Sequence, residues 1–461
     1  MRFVQPKHSL SIAKWFINGI LSHKINNIGK SVGFIKRNDG KLLPSTFVKA
    51  FTLGTLNISN PTLQLVANIC EDLQDGLTLS KVAIYQRLGV GSELLKEVLK
   101  ECLSYAISFS SKACAVDILK QFSDVDIFDS TIVSLPQKLA AFYPGSGGRH
   151  KAGSLCIQTM FSLLDRCFKH IELTGNYTND GSYTKEIPKK MKQGGLAIFD
   201  RGYKNKSGHK DIMDKGAFFL TRIVRNSIFY SADMKYRYPN KELDIVDILK
   251  KSNGFVDMEL QMGSDPQRRI KCRLVAIQLP PEIANERIRK ARKSVGKKTL
   301  SNKELELLKW DTFATNVPSQ MLPAETVGNI YRLRWQIEIL FKACKSHLGL
   351  ENLRGCGKEQ MECLVYGRLI MAVLMSIFYS QCYAAMYKKL QREVSVLKFF
   401  SYIKNHAYEF MFYILGYQLS YNKLGQLLEK AALASLYEKR KRKTSLANII
   451  QYHISHLESS A

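Results

Sequence analysis

The stretch that decides how this chain is read is Ile330-Tyr-Arg-Leu-Arg-Trp-Gln-Ile-Glu-Ile-Leu-Phe-Lys-Ala-Cys-Lys345. It holds no Gly or Pro and is predicted to form one helix. At about 100° per residue, Tyr331, Arg334, Glu338 and Lys345 fall on one polar stripe, with Ile330, Leu333, Ile337, Leu340, Phe341 and Cys344 on the apolar stripe beside it. The Glu338 carboxylate is thereby placed at the edge of a core, flanked by Arg and Lys. One reading is a core helix in which Glu338 pairs with Arg334 at i, i+4. The other makes Glu338 one of several carboxylates sharing a divalent cation, which requires two more acidic side chains from elsewhere.

The composition narrows the class. A chain of 461 residues is expected to hold two to four domains, and 45% hydrophobic residues indicate a globular protein. Lys+Arg 68 against Asp+Glu 40 gives a formal charge of +28, an excess that points to a polyanionic partner, most simply nucleic acid. Ten Cys occur without any Cys-x-x-Cys pair, so reduced thiols in a cytosolic setting are expected and no structural metal site. His453 and His456 are too isolated to form one. Met1 to Trp15 lacks the features of a signal peptide. The apolar run Leu369 to Tyr387 contains Ser376, Ser380 and Gln381 and is read as a buried helix rather than a membrane span.

Along the chain, residues 1 to about 115 read as short basic helices separated by turn signals such as Asn38-Asp39-Gly40 and Asn60-Pro61. Phe34 to Arg37 and Ser80 to Arg87 place cations beside apolar anchors, as a DNA-reading helical unit or a plain solvated helix face would. From Asp124 the pattern alternates, with Val125, Ile127 and Asp129 on one side of a short strand that ends at Asp129. Pro144 to Lys151 lacks the ending of a nucleotide P-loop and reads as a hairpin turn. The runs Leu155 to Leu164 and Cys167 to Leu173 complete a three-strand meander. A short helix near Ile187 to Met191 precedes a buried strand, Leu196 to Phe199, from whose end Asp200 emerges. A helix from Ser207 to Lys215 and a strand from Ala217 to Ile223, carrying Arg222, complete a mixed sheet. Ile228 to Leu279 reads as a mostly β insertion. It leads into the basic segment Glu286 to Lys298 with seven Lys or Arg. Trp310 to Val317 returns to the core. Beyond the central stretch, Ser346 to Lys388 is helical and apolar, and Glu393 to His456 is helical with five cations at Lys439 to Lys443.

Asp129 and Asp200 at strand ends and Glu338 on a helix packed near the sheet thus stand out as three carboxylates in a protein of charge +28. Catalytic groups of open α/β sheets gather at such carboxyl ends. Two Mg²⁺ or Mn²⁺ ions held by these three would activate an attacking oxygen and stabilise the leaving oxygen of an in-line phosphoryl displacement.

On these residues the chain resembles the DDE transposases of bacterial insertion sequences, specifically the insertion sequence four family. The family signature Tyr-x2-Arg-x3-Glu-x6-Lys is met without a gap by Tyr331, Arg334, Glu338 and Lys345. Asp129 in Phe-Asp-Ser-Thr and Asp200 in Phe-Asp-Arg-Gly-Tyr fit the family's two aspartates, and Thr315-Asn316 and Tyr331 to Trp335 are also similar. The resemblance covers roughly residues 30 to 390, most strongly 124 to 355. It implies a ribonuclease-H-like catalytic core interrupted by a β-rich insertion ahead of the glutamate helix. The implied chemistry is metal-dependent cleavage at transposon ends, often through a hairpin, followed by strand transfer into target DNA. It also implies phosphate contacts for Tyr331, Arg334 and Lys345, with Arg222 similarly placed. Trp310 lies where the family can carry an aromatic that stacks on a flipped base; a core role suits an indole equally well.

The expected organisation is a helical basic N-terminal DNA-binding region (1–115) and the first part of the ribonuclease-H-like α/β core (116–223). A mostly β insertion with a basic helix (224–308), the second part of the core with the glutamate helix (309–390) and a helical basic C-terminal region (391–461) follow. The expected partners are double-stranded DNA, as terminal inverted repeats and target, and a second copy pairing two DNA ends; the expected location is the bacterial cytoplasm, with no membrane. Two readings compete with the transposase: a related nuclease that cuts without joining, and a decayed DNA-binding repressor of its own element.

Overall fold

The computed structural model describes residues 24–35, 41–108, 117–145, 152–175, 180–224, 226–232, 241–295, 299–351, 353, 355–415 and 420–437. Asn38-Asp39-Gly40, the Lys36-Arg37 pair, most of the glycine-rich Pro144 to Lys151, Lys297-Lys298, the cations at Lys439 to Lys443 and the tail histidines lie outside them. The chain forms two compact units: one takes in residues up to 114, 130–177 and 336–441, the other 115–129, 178–335 and 442–461. The chain therefore passes between the two units five times, two of them next to candidate site residues, between Asp129 and Ser130 and between Trp335 and Gln336.

The second unit is built on a mixed sheet. Strand β1 (Val125–Leu135) enters it through its first half and pairs in parallel with β4 (Leu196–Phe199), which pairs in parallel with β5 (Phe218–Arg222). Beyond β5 the sheet turns antiparallel through β9 (Trp310–Thr315), β8 (Ile270–Gln278), β7 (Phe255–Met262) and β6 (Phe229–Ser231). The run Leu-Ala-Ile-Phe of β4 is buried at all four positions, as a strand covered on both faces must be. The strands of the segment read as an insertion do not make a sheet of their own: β8 pairs with β9, and β6 to β8 extend the same sheet. A helix absent from the sequence reading, Ile245–Lys251, lies between β6 and β7, started by the Asp244 side chain accepting from the Val246 N–H. The basic segment is a helix over Pro281–Val295 as far as it is described.

The first unit is mainly helical. It contains the β2 (Gly153–Ser162) and β3 (Phe168–Gly175) antiparallel hairpin beside β1, which bears out the meander. The N-terminal part holds one long helix, Lys81–Ser108, where short ones were expected. Gly89 and Gly91 suggest a break there, since glycine costs a helix about 1 kcal/mol relative to alanine. A Cβ on Gly91 would lie 2.3 Å from the Phe47 ring, so the helix accepts the glycine in exchange for close packing. Helix Lys358–Leu390 contains the apolar run, and 89% of its most apolar window is buried, as a core helix requires.

The central stretch is not one helix. Ala324–Arg332 ends and Trp335–His347 begins afresh. At the join the N–H groups of Leu333 and Arg334 donate to the carbonyls of Ile330 and Tyr331, a tighter i→i−3 turn. No residue there forbids a helix; the turn is held by what the Arg334 side chain binds. The apolar stripe survives, with Ile330, Leu333, Ile337, Leu340, Phe341 and Cys344 all buried. The polar stripe does not, because Tyr331 and Arg334 are buried before the break while Glu338, after it, is exposed.

Candidate active site

The parallel register of β1 and β4 runs from Val125↔Leu196 to Phe128↔Phe199. Asp129 and Asp200 are each one residue beyond the last pair, so they stand side by side on one face, at the roughly 4.8 Å spacing of neighbouring strands. Both are half-buried. The strand β1 does not end at Asp129 as expected. It continues through Ser-Thr-Ile-Val-Ser-Leu to Leu135, a sequence rich in β-branched residues that pleats readily. Asp129 is instead the point at which β1 outruns its shorter neighbour β4.

Two side chains from the end of helix Ala324–Arg332 close on these carboxylates. Arg334 Nη1 lies 2.9 Å from Asp129 Oδ2, in an ion pair whose side chains are 8% and 14% exposed. The Tyr331 hydroxyl donates to Asp200 Oδ1 at 3.3 Å. Burial, and next the Asp200 carboxylate, push the Tyr331 hydroxyl well above its ordinary pKa, so it remains a donor at neutral pH. Its ring has the Arg222 guanidinium 5.3 Å from the centroid and that of Arg334 at 5.8 Å. Arg222 in turn is held by Asp311, whose Oδ1 lies 2.6 Å from Arg222 Nη2 and 2.9 Å from Arg287 Nη1. Thus Asp129, Asp200, Tyr331, Arg334 and Arg222 form one cluster within the second unit.

Trp310 opens β9 and is buried, lining a cavity of about 170 Å³ together with Arg201, Arg222, Arg287 and Lys303. At the other end of β9, Asn316 fastens the strand to β5: its Oδ1 accepts from the Phe219 N–H at 2.7 Å and its Nδ2 donates to the Ala217 carbonyl at 2.9 Å. Thr315 Oγ1 donates to the Phe219 carbonyl at 2.6 Å. These bonds fix where β9 delivers Trp310 and Asp311.

Glu338 and Lys345 belong to the first unit. Glu338 is in the first turn of helix Trp335–His347, exposed, at the end of the helix that favours negative charge. Lys345 Nζ donates to the Ile132 carbonyl at 2.9 Å and lies 3.1 Å from Glu351 Oε1, which ties this helix to the second half of β1. The residues missed from sequence are Asp311, Arg287 and Arg201. Asp311 and Arg201 each adjoin a residue that was singled out, Trp310 and Asp200, but the ion pairs that recruit Asp311 are long-range, and Arg201 enters as a wall of the Trp310 cavity.

Two adjacent half-buried carboxylates offer hard oxygen donors of the kind Mg²⁺ and Mn²⁺ take. Among the described residues no group of three or more His, Cys, Asp or Glu is gathered as a ready metal cage. The Arg334 guanidinium occupies Oδ2 of Asp129 and offsets its charge, so a cation at the two aspartates would have to share Asp129 with Arg334 or displace it. The nine described cysteines are all buried.

Comparison with known proteins finds transposases. A family model described as the transposase DDE domain matches residues 120–374. The transposase for insertion sequence element IS231B of Bacillus thuringiensis subsp. berliner is 26% identical over 407 residues, 83% of this chain and 82% of that protein. The transposase for element IS1151 of Clostridium perfringens is 26% identical over 397 residues, 82% of each. A shorter match, 35% identical over 106 residues, links 22% of the chain to 28% of the putative transposase InsL for element IS186A of Escherichia coli strain K12.

Proposed function

The chain belongs to the DDE transposases of insertion sequences, and from that premise we propose that it cuts the ends of its element and joins them to target DNA by cut-and-paste transposition. The observation that carries this reading is the side-by-side delivery of Asp129 and Asp200, each one residue beyond the last pair of the parallel strands β1 and β4, with Arg334 and Tyr331 on their oxygens. The parallel β1, β4 and β5 with an antiparallel flank suit a ribonuclease-H-like core.

Asp129 and Asp200, joined by Glu338, are the groups that would hold two Mg²⁺ or Mn²⁺ ions. When bound, the ions supply Lewis-acid activation of an attacking oxygen and charge stabilisation for the leaving one. The chain's own residues do the rest. The Tyr331 hydroxyl orients the Asp200 carboxylate, and burial keeps its proton in place. Arg334 holds Asp129 in its rotamer and, with Arg222 and Lys345, offers cations to the phosphates of the cleaved end. Trp310 presents its indole to a cavity walled by cations, where an extruded base of a hairpin intermediate could stack. The N-terminal region (1–115) and C-terminal region (391–461) grip DNA beyond the site, as does the basic helix within 224–308. Two copies pair the two ends of the element, in the bacterial cytoplasm at the nucleoid.

The test is incubation of purified protein with Mg²⁺ and a labelled duplex carrying the end of its own element, resolved on a denaturing gel beside Asp200→Asn. The expected products are a nick or hairpin at the end, and joined products with a target, all missing from the variant. Binding without metal-dependent products would defeat the proposal.

A further inference from the structure

The turn joining β2 to β3 is unusual in being buried throughout, from Ser162 to Cys167, although it carries Asp165, Arg166 and, just beyond, Lys169. Loops ordinarily stay at the surface because their polar groups need water. Here the polar groups are answered from within the first unit. The Ser162 hydroxyl bonds Asp165 Oδ2 at 2.9 Å, Lys169 Nζ lies 3.5 Å from the same oxygen, and Ser380 Oγ on helix Lys358–Leu390 donates to the Asp165 carbonyl at 2.7 Å. The turn is clamped to that helix.

Arg166 at its tip has φ 54°, the left-handed region that favours glycine, and one of only two such non-glycine residues among those described. A glycine there would relieve the backbone, so the side chain has to account for the arginine. Its guanidinium lies 3.6 Å from the centroid of the Tyr383 ring and donates through Nη1 to Gln336 Oε1 at 3.3 Å. Gln336 is in the first turn of the glutamate helix, two residues before Glu338. Next to this bond is a cavity of about 90 Å³ bounded by Arg166, Gln336, Ile339, Tyr383 and Glu393. The start of the helix is therefore incompletely backed by apolar packing, and the polar bond from Arg166 spans the gap.

We propose that Arg166 is the positioning residue of the catalytic glutamate. Anchored over Tyr383 on a clamped turn, it fixes the first turn of helix Trp335–His347 through Gln336 and so sets where Glu338 is presented. This rests on the reading of Glu338 as a catalytic carboxylate. A strained left-handed arginine, a buried turn and a polar link to the helix start are together what such a device needs. A purely structural arginine would have no reason to end on Gln336.

The test uses the full chain, Mg²⁺ and the end duplex, with Arg166→Leu, Arg166→Lys, Gln336→Leu, the double Arg166→Leu/Gln336→Leu, and Glu338→Gln. DNA affinity, single-turnover cleavage rate and the Mg²⁺ concentration for half-maximal rate are read separately. The expected result is a roughly tenfold slower rate with a raised Mg²⁺ requirement for both single leucine variants, unchanged DNA affinity, and a double variant no slower than either single. Mn²⁺ binding followed by electron paramagnetic resonance, without DNA turnover, should weaken in parallel. Partial rescue by Arg166→Lys is expected, since it keeps the charge but not the fork. If Arg166→Leu is insoluble, the half-buried Gln336→Leu carries the same test. Wild-type rates and Mg²⁺ requirement in soluble Arg166→Leu or Gln336→Leu, while Glu338→Gln is dead, would overturn the role of Arg166 alone. Unchanged cleavage in Glu338→Gln would instead overturn the catalytic reading beneath it.

Discussion

Replacing Arg334 by methionine removes one partner of an ion pair that is nearly dry, with side chains 8% and 14% exposed. Truncating one partner of a fully buried pair costs about 3–5 kcal/mol, because the other charge is left uncompensated. Asp129 borders the surface, so solvent recovers part of that. A few tenths of a kcal/mol go with the distant stacking of Arg334 on the Tyr331 ring, 5.8 Å away. The expected net loss is about 2–3 kcal/mol, which for a chain of this size lowers the melting temperature by about 2–3 °C. The assay is thermal unfolding in EDTA, so that no divalent cation takes the place of the guanidinium. Asp129→Asn added to Arg334→Met should restore at least half of the loss, since no charge is then stranded. A single variant melting within about 1 °C of the parent, or a double variant whose loss is the sum of the two singles, would refute the pairing as the cause.

Further expectations follow from neighbouring contacts. Tyr331→Phe should leave folding intact and slow cleavage roughly tenfold, the worth of one hydrogen bond to a charged carboxylate, measured by single-turnover kinetics. Because the Tyr331 hydroxyl is raised above its ordinary value of 10.0, its contribution to stability is complete below that pH and is lost only as pH climbs past it. Melting between pH 7 and about 9.5 should therefore show no titration from this residue. Asn316→Ala strands the Phe219 N–H and the Ala217 carbonyl and should cost about 2–3 kcal/mol in denaturant unfolding. His209, stacked against both Phe199 and Phe219, is held neutral by burial with its pKa lowered from 6.5 to about 4. Its contribution, about 3 kcal/mol, is present above pH 6.5 and is lost as pH falls toward 4, and His209→Gln should flatten that limb of the acid unfolding curve.

Much of this site is written locally. The Leu-Ala-Ile-Phe run fixes β4 because four apolar residues bounded by Gly195 and Asp200 can only be a short buried strand, and Asp200 follows at its end. The apolar stripe from Ile330 to Cys344 is read correctly because burial has a period that sequence displays. What was misread depends on distant partners. The break at Leu333-Arg334 has no Gly or Pro; it follows from Arg334 reaching an aspartate 205 residues earlier. The extension of β1 past Asp129 depends on its neighbours in the sheet, and the length of helix Lys81–Ser108 on Phe47 needing the space that Gly91 leaves. Asp311 looked like an ordinary strand residue because the two arginines it binds are brought to it by β5 and by helix Pro281–Val295.

The most direct test of metal-assisted cleavage by three carboxylates is to convert Asp129, Asp200 and Glu338 singly to cysteine and assay end cleavage in Mg²⁺ and in Mn²⁺, with DNA binding checked for each. A thiolate is a poor ligand for Mg²⁺ and a better one for the softer Mn²⁺. The account predicts three variants that bind DNA, are silent in Mg²⁺ and regain cleavage in Mn²⁺. Cleavage in Mg²⁺ at the parent rate by any of the three would contradict it.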